Sequence, residues 1–174
     1  MKKIIITFVF SIVSIVCFAQ SAFDKYDGQA GVGSIIVNKK MFQMMASVKV
    51  DANDKETQQY LTLIKKLDNL KVFTTTSSKI SADMKSTAEI HRKTAGLEEL
   101  MRVNDGSGNI KVWVKSGATG NQIKELLMVG KEVNTANEMV LMSLIGDFTM
   151  DDILILTDKM KIPGGAELKK AVKK

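Results

Sequence analysis

Ile110-Lys111-Val112-Trp113-Val114-Lys115 alternates cleanly, with Ile110, Val112 and Val114 on one side and Lys111, Trp113 and Lys115 on the other. A period of two places successive side chains on opposite faces, so this stretch reads as a strand. Asn104-Asp105-Gly106-Ser107-Gly108-Asn109 precedes it, a glycine-rich turn after the strand-like run Leu97 to Val103. Such a turn between two strand-like runs predicts a hairpin. Ser116 to Asn121 is a second turn and Ile123 to Val129 a third strand; Lys131 to Asn137 turns again before Met139 to Ile145, the most apolar strand of the four. Gly146-Asp147 ends it.

Upstream of this meander the period changes. Phe23 to Tyr26 reads as a short amphipathic turn of helix stopped near Gly28 and Gly31, and Gly33 to Val37 as a first, β-branched strand. Asn38 is placed to cap a helix whose Met41, Met44, Met45 and Val48 recur at helical spacing, with Phe42 on the flank. The polar break at residues 51–54 supplies the cap of a second helix with a stripe of Tyr60, Leu63, Ile64 and Leu67. Leu70 to Thr76 suits a strand. Ser77 or Ser78 caps a third helix carrying Ile80, Met84, Ala88 and His91 on one side, with Lys79–Asp83, Lys85–Glu89 and Glu89–Lys93 spaced for surface ion pairs. After the meander, Thr149 and Asp152 form a capping box with Asp in the usual Glu position, followed by Ile153, Leu154, Leu156 and Met160. The pattern predicts an α+β fold: a mostly antiparallel sheet with helices packed on one face, ending in a four-strand meander.

The chain's beginning predicts export. Met1-Lys2-Lys3 is basic, residues 4–16 are apolar and uncharged, and Cys17 and Ala19 put small residues where a signal peptidase reads. The expected cut falls between Ala19 and Gln20, and Ser21 offers a second site. Lipidation at Cys17 is the rival, but Val16 is bulky and Ser14 polar where that processing wants small and aliphatic residues. The organisation expected is a signal peptide at 1–19, one α+β domain at 20–162, and a basic tail at 163–174. Removal of the signal takes the only cysteine with it and leaves no stable membrane anchor.

Composition narrows the function classes. With 174 residues, 45% hydrophobic and 25% charged, the chain is neither disordered nor collagen-like nor a multi-span membrane protein. One proline, one cysteine and one histidine exclude a disulfide scaffold, a zinc ribbon and a multi-histidine metal centre. The net charge of +6 resides in the ends: between residues 20 and 162, basic side chains exceed acidic ones by one. A nucleic-acid binder carries its positive charge on the folded surface, so no nucleic-acid partner is expected.

Four landmarks carry a resemblance. Phe23-Asp24-Lys25-Tyr26, the strand-then-helix ending in Met41-Phe42 and Met44-Met45, Glu98 to Val103 with Asp105-Gly106, and Leu144 to Phe148 with Asp152-Ile153 occur in this order. Together, over roughly residues 22 to 162, they resemble the domain of unknown function numbered 4252, carried by exported proteins of Bacteroidota. The resemblance brings no activity and no site residue. Similar proteins are often encoded near extracytoplasmic-function sigma factors, which implies a link to envelope sensing.

The search for chemistry finds bland readings for each candidate. His91 is the only imidazole, and with no Gly-x-Ser-x-Gly elbow and no cysteine after residue 19 it reads as structural. Met41, Met44 and Met45 would suit copper(I) if exposed, and core filler if buried. Asp51, Asn53, Asp54 and Glu56 lack the glycine and distal glutamate of a calcium loop and read as cap and linker; Asp105 to Asn109 reads as a turn. Asp147, Asp151 and Asp152 form a carboxylate cluster at a strand exit and helix start, where acidic residues belong on structural grounds. Glycines 28, 31 and 33 match no phosphate-binding or dinucleotide fingerprint. No catalytic, cofactor or metal residue is assigned. The expectation is a non-enzymatic, exported envelope protein, periplasmic or extracellular, that binds another envelope protein. The alternative is a carrier of a small apolar or lipid ligand, lined by some of the ten methionines after residue 19.

Overall fold

A computed structural model describes residues 22–49, 51, 54–105, 108–131 and 138–160. The signal segment, the cut between Ala19 and Gln20, and the basic tail lie outside the described residues.

After a 3₁₀ turn at Asp24–Tyr26, the elements are β1 (Gly33–Asn38), α1 (Lys39–Ala46), α2 (Lys55–Ile64), β2 (Leu67–Thr75) and α3 (Ser78–Ala95). The meander follows as β3 (Glu98–Asp105), β4 (Gly108–Ser116), β5 (Ile123–Lys131) and β6 (Met139–Phe148), and then α4 (Met150–Met160). The six strands form one sheet in the order β1-β2-β6-β5-β4-β3, every neighbour antiparallel. The last strand therefore sits in the middle, between β2 and β5. Asn38 caps α1 through the Met41 amide at 3.0 Å, Asp54 caps α2 through Thr57 at 3.0 Å, and Ser77 caps α3 through Ile80 at 3.4 Å. Gly96, at φ 68°, ends α3 in the left-handed conformation that glycine adopts without strain. Thr149 and Asp152 exchange the two bonds of the capping box, 2.9 and 3.3 Å.

The fold is α+β with an antiparallel sheet and a C-terminal four-strand meander, but the helices are not confined to one face. Leu70, Val72, Val112, Leu126, Met128, Met142 and Leu144 point to one side, where they meet Phe42 and Ala46 of α1, Leu63 and Ile64 of α2, and Ile153 and Leu156 of α4. Phe73, Trp113, Leu127, Val129, Met139 and Leu141 point to the other and meet Met84 and Ala88 of α3 with Phe23 and Tyr26 of the first turn. The reason is visible along β4 to β6: both sides of the central strands are apolar, so both must be covered. The 3.6-residue stripe of each helix states that it packs, and nothing in it states on which face. At Gly146 the crossing is so close that a Cβ would lie 2.6 Å from the Lys66 carbonyl oxygen.

Candidate functional site

The methionine helix resolves differently from its stripe. Phe42 and Ala46, four residues apart, face the core, whereas Met41, Met44 and Val48 are 50%, 58% and 60% exposed. Met45 packs partly against the core between these two faces. The ring of Phe42 buries more area than any one thioether, and seating it turns Met41 and Met44 outward. The preceding strand is equally open: Ile35 is 50% and Ile36 41% exposed, because β1 is an edge strand that no helix fully covers. Sequence reading missed this, since a short β-branched apolar run looks the same at an edge as in a sheet centre.

On the opposite face, a polar seam joins the first turn to α3. The Tyr26 hydroxyl, in a buried residue, donates to Asp83 at 2.7 Å and shares a second hydrogen bond with Thr87 at 2.9 Å. Lys25 reaches the same carboxylate at 2.6 Å, and Lys71 pairs with Asp24. Hydrogen bonds from Lys25 and Tyr26 hold the Asp83 carboxyl below its ordinary value, while burial pushes the Tyr26 phenol up. His91 sits further along α3 with Nε2 2.6 Å from Glu125 Oε1 and its ring edge-on to Phe23 at 5.0 Å between centroids. Two residues before it, Glu89 takes hydrogen bonds from Arg92 at 3.0 Å and Lys111 at 3.1 Å. Both cations also stand over the ring of buried Trp113, at 6.0 and 5.9 Å from its centre. The ion pairs of α3 thus run to other elements or to the next turn: Asp83 to Lys25, and Glu89 to Arg92 and Lys111.

The carboxylates near the end of β6 are not brought together. Asp147 is held by Lys124 at 3.0 Å and by Gln122, and these two hydrogen bonds keep its carboxyl low. Asp152 closes the capping box and pairs with Lys66 at 3.1 Å, and Asp151 faces solvent. Of the three only Asp147 borders an open groove of about 780 Å³, whose lining includes Lys39, Lys65, Lys66, Asp68 and Lys124. Within it Lys39 pairs with Asp68 at 2.7 Å and Lys124 with Asp147, while Lys65 and Lys66 also line it, so the groove keeps more cations than carboxylates. Asp54 also accepts from the Thr57 hydroxyl at 2.6 Å, as the cap that starts α2; Asn53 lies outside the described residues. Among the described residues no group of three or more His, Cys, Asp or Glu is arranged to hold a metal ion, and no helix is long and apolar enough to cross a membrane.

One protein family, described as a domain of unknown function (DUF4252), matches residues 26–156. That span begins at Tyr26 of the polar seam and ends at Leu156, the last described core residue of α4. No curated protein and no solved structure matches the chain.

Proposed function

We propose that this chain, which belongs to the DUF4252 family across residues 26–156, is a non-enzymatic interaction domain of the cell envelope. It acts by binding a protein partner through the surface built by β1 and α1. The observation that carries this reading is the placement of exposed apolar side chains. Of eight large hydrophobic residues exposed among the described residues, four (Ile35, Ile36, Met41 and Met44) fall within the β1–α1 unit and a fifth, Val48, just after it. Scattered exposed apolar residues are ordinary, whereas concentration on one unit is what a contact surface requires. Exposed methionine adds an adaptable, polarisable face that can mould to a partner.

The envelope location rests on the basic, apolar and small-residue order of residues 1–19, and a contact surface is what a role in envelope sensing would use. Against catalysis stand the commitments already made by the polar side chains: His91 to Glu125, Asp147 to Lys124, Asp152 to Lys66. The carrier alternative draws less support, because Met84, Met128, Met139 and Met142 belong to the packed clusters while Met41 and Met44 face outward.

A photo-crosslinking amino acid at position 44, introduced in cells of the native host, tests the reading. We expect a discrete adduct from position 44 and none from position 90, where Ile90 is 60% exposed on α3. Equal labelling at the two positions, or none at either, would count against it.

A further inference from the structure

We infer that β1 pairs with the β1 of a second copy, antiparallel, about a two-fold axis through Ile36. This names the partner of the β1–α1 surface and rests on reading that surface as a contact face. The sheet has two edges, and they are treated differently. On β3, Glu98, Glu99 and Arg102 are exposed and charged, and the register slips between Glu99 and Met101. Charge and irregularity are the devices by which edges avoid pairing with other chains. On β1, Gly33 to Asn38 contains no charge and no proline, and its register with β2 runs unbroken over all six residues. An edge with an unbroken register and no charge or proline lacks these devices.

The strand is also complementary to itself. Ile35 and Val37 lie opposite Val72 and Leu70, so they belong to the face that carries α1, and Ser34, Ile36 and Asn38 belong to the other. A two-fold axis normal to the sheet preserves faces only if it passes through a residue. Placed at Ile36, it sets Ile36 against itself, Ile35 against Val37 of the second copy, and Ser34 against Asn38. Apolar then meets apolar and polar meets polar. Moved to Ile35, it would oppose Gly33 to Val37 and Ser34 to Ile36. One register therefore satisfies the whole strand.

A six-residue strand pair alone falls short of the roughly 800 Å² per partner of a stable interface. The missing area is at hand. α1 begins where β1 ends, lies over β1 and β2, and is flanked by α2 on its inner side, so it is the outer helix of its layer. The axis through Ile36 puts both copies of α1 on the same side of the joined sheet, where exposed Met41, Met44 and Val48 extend the contact.

Sedimentation of the full chain should show a dimer. In a Cys17→Ser background, Ile36→Cys should be joined to its counterpart by a short bis-maleimide. Ser34→Cys should react at least tenfold less, since its counterpart lies four residues further along the strand, roughly 13 Å. Ile36→Lys should abolish the dimer while keeping the parent's circular dichroism and Tm; should it misfold, Ile35→Lys makes the same test on the other face. A monomer at the highest attainable concentration overturns the proposal, as does a dimer indifferent to both lysines or linked equally at 34 and 36. If the chain is monomeric but position 44 gives an adduct to a different protein, the contact-surface reading stands and the self-pairing falls. If it is monomeric with no adduct, both fall. An Ile36→Cys variant that is monomeric yet shielded from maleimide overturns self-pairing in favour of a segment of the same chain.

Discussion

Asp83 shows how a single side chain ties distant parts of the sequence together. It accepts from Tyr26 and pairs with Lys25, 57 and 58 residues away, and so fastens the first turn onto α3. Its carboxyl is held below the ordinary aspartate value, chiefly by the hydrogen bond from Lys25 and then by that from Tyr26. The unfolded chain therefore binds the proton more readily. The stabilisation is present above the unfolded value and is lost as pH falls through the folded one. Asp83→Asn should thus be less stable than the parent at neutral pH, by at most about 1 kcal/mol because the pair is half-exposed and screened. The two should converge on acidification below about pH 4, which urea denaturation at a series of pH values would record. An unchanged gap at low pH would refute the assignment. Nothing in the local sequence announces this partnership: an Asp with Lys79 four residues before it suggests a pair along the helix, whereas the fold supplies a stronger partner in Lys25.

At the scale of the element, α1 separates two kinds of apolar residue that its sequence presents alike. Phe42 is fully buried and Met44 is 58% exposed, so truncation should discriminate sharply. Phe42→Ala should cost about 3–5 kcal/mol, and Met44→Ser no more than about 0.5 kcal/mol, by thermal or chemical unfolding of the two variants. Comparable losses would mean that the methionine face is core after all. The legibility of the elements follows from the same physics. Asn38, the Ser77–Ser78 pair and the Thr149–Asp152 box were readable because caps act on amides within one turn of themselves. The alternation of residues 110–115 was readable because it is a local period. Exposure of Ile35, Ile36, Met41 and Met44 was not, since burial depends on which element arrives from elsewhere. The site was accordingly less legible than the fold: sequence placed Ile35 and Ile36 in a strand and Met41 and Met44 on a helix, and marked none of them as a contact surface.

At the scale of the molecule, the strand order β1-β2-β6-β5-β4-β3 could not be read from the chain, because β-branched and apolar residues favour a strand without choosing its neighbour. The order explains why β6 is the most apolar strand, with Val140, Met142 and Leu144 on one face and Met139 and Leu141 on the other, all buried. Over residues 139–144 the strand is flanked on both edges and covered on both faces, so that stretch has no wet side to keep polar; only beyond it are Ile145 and Asp147 exposed. Its lateness in the chain has a temporal consequence. Until residues 139–148 exist, β1–β2 and β3–β5 are two half-sheets with no strand to join them, and the contacts that close the sheet are long-range, Leu67 meeting Gly146 79 positions on. A nascent chain ending at residue 138 should therefore be digested readily by protease, and one completed through α4 should resist. Protection of the shorter chain would show that a half-sheet folds alone. Synthesis thus lays down the five other strands of the sheet before the keystone is available, and a polypeptide that locks late stays threadable until then.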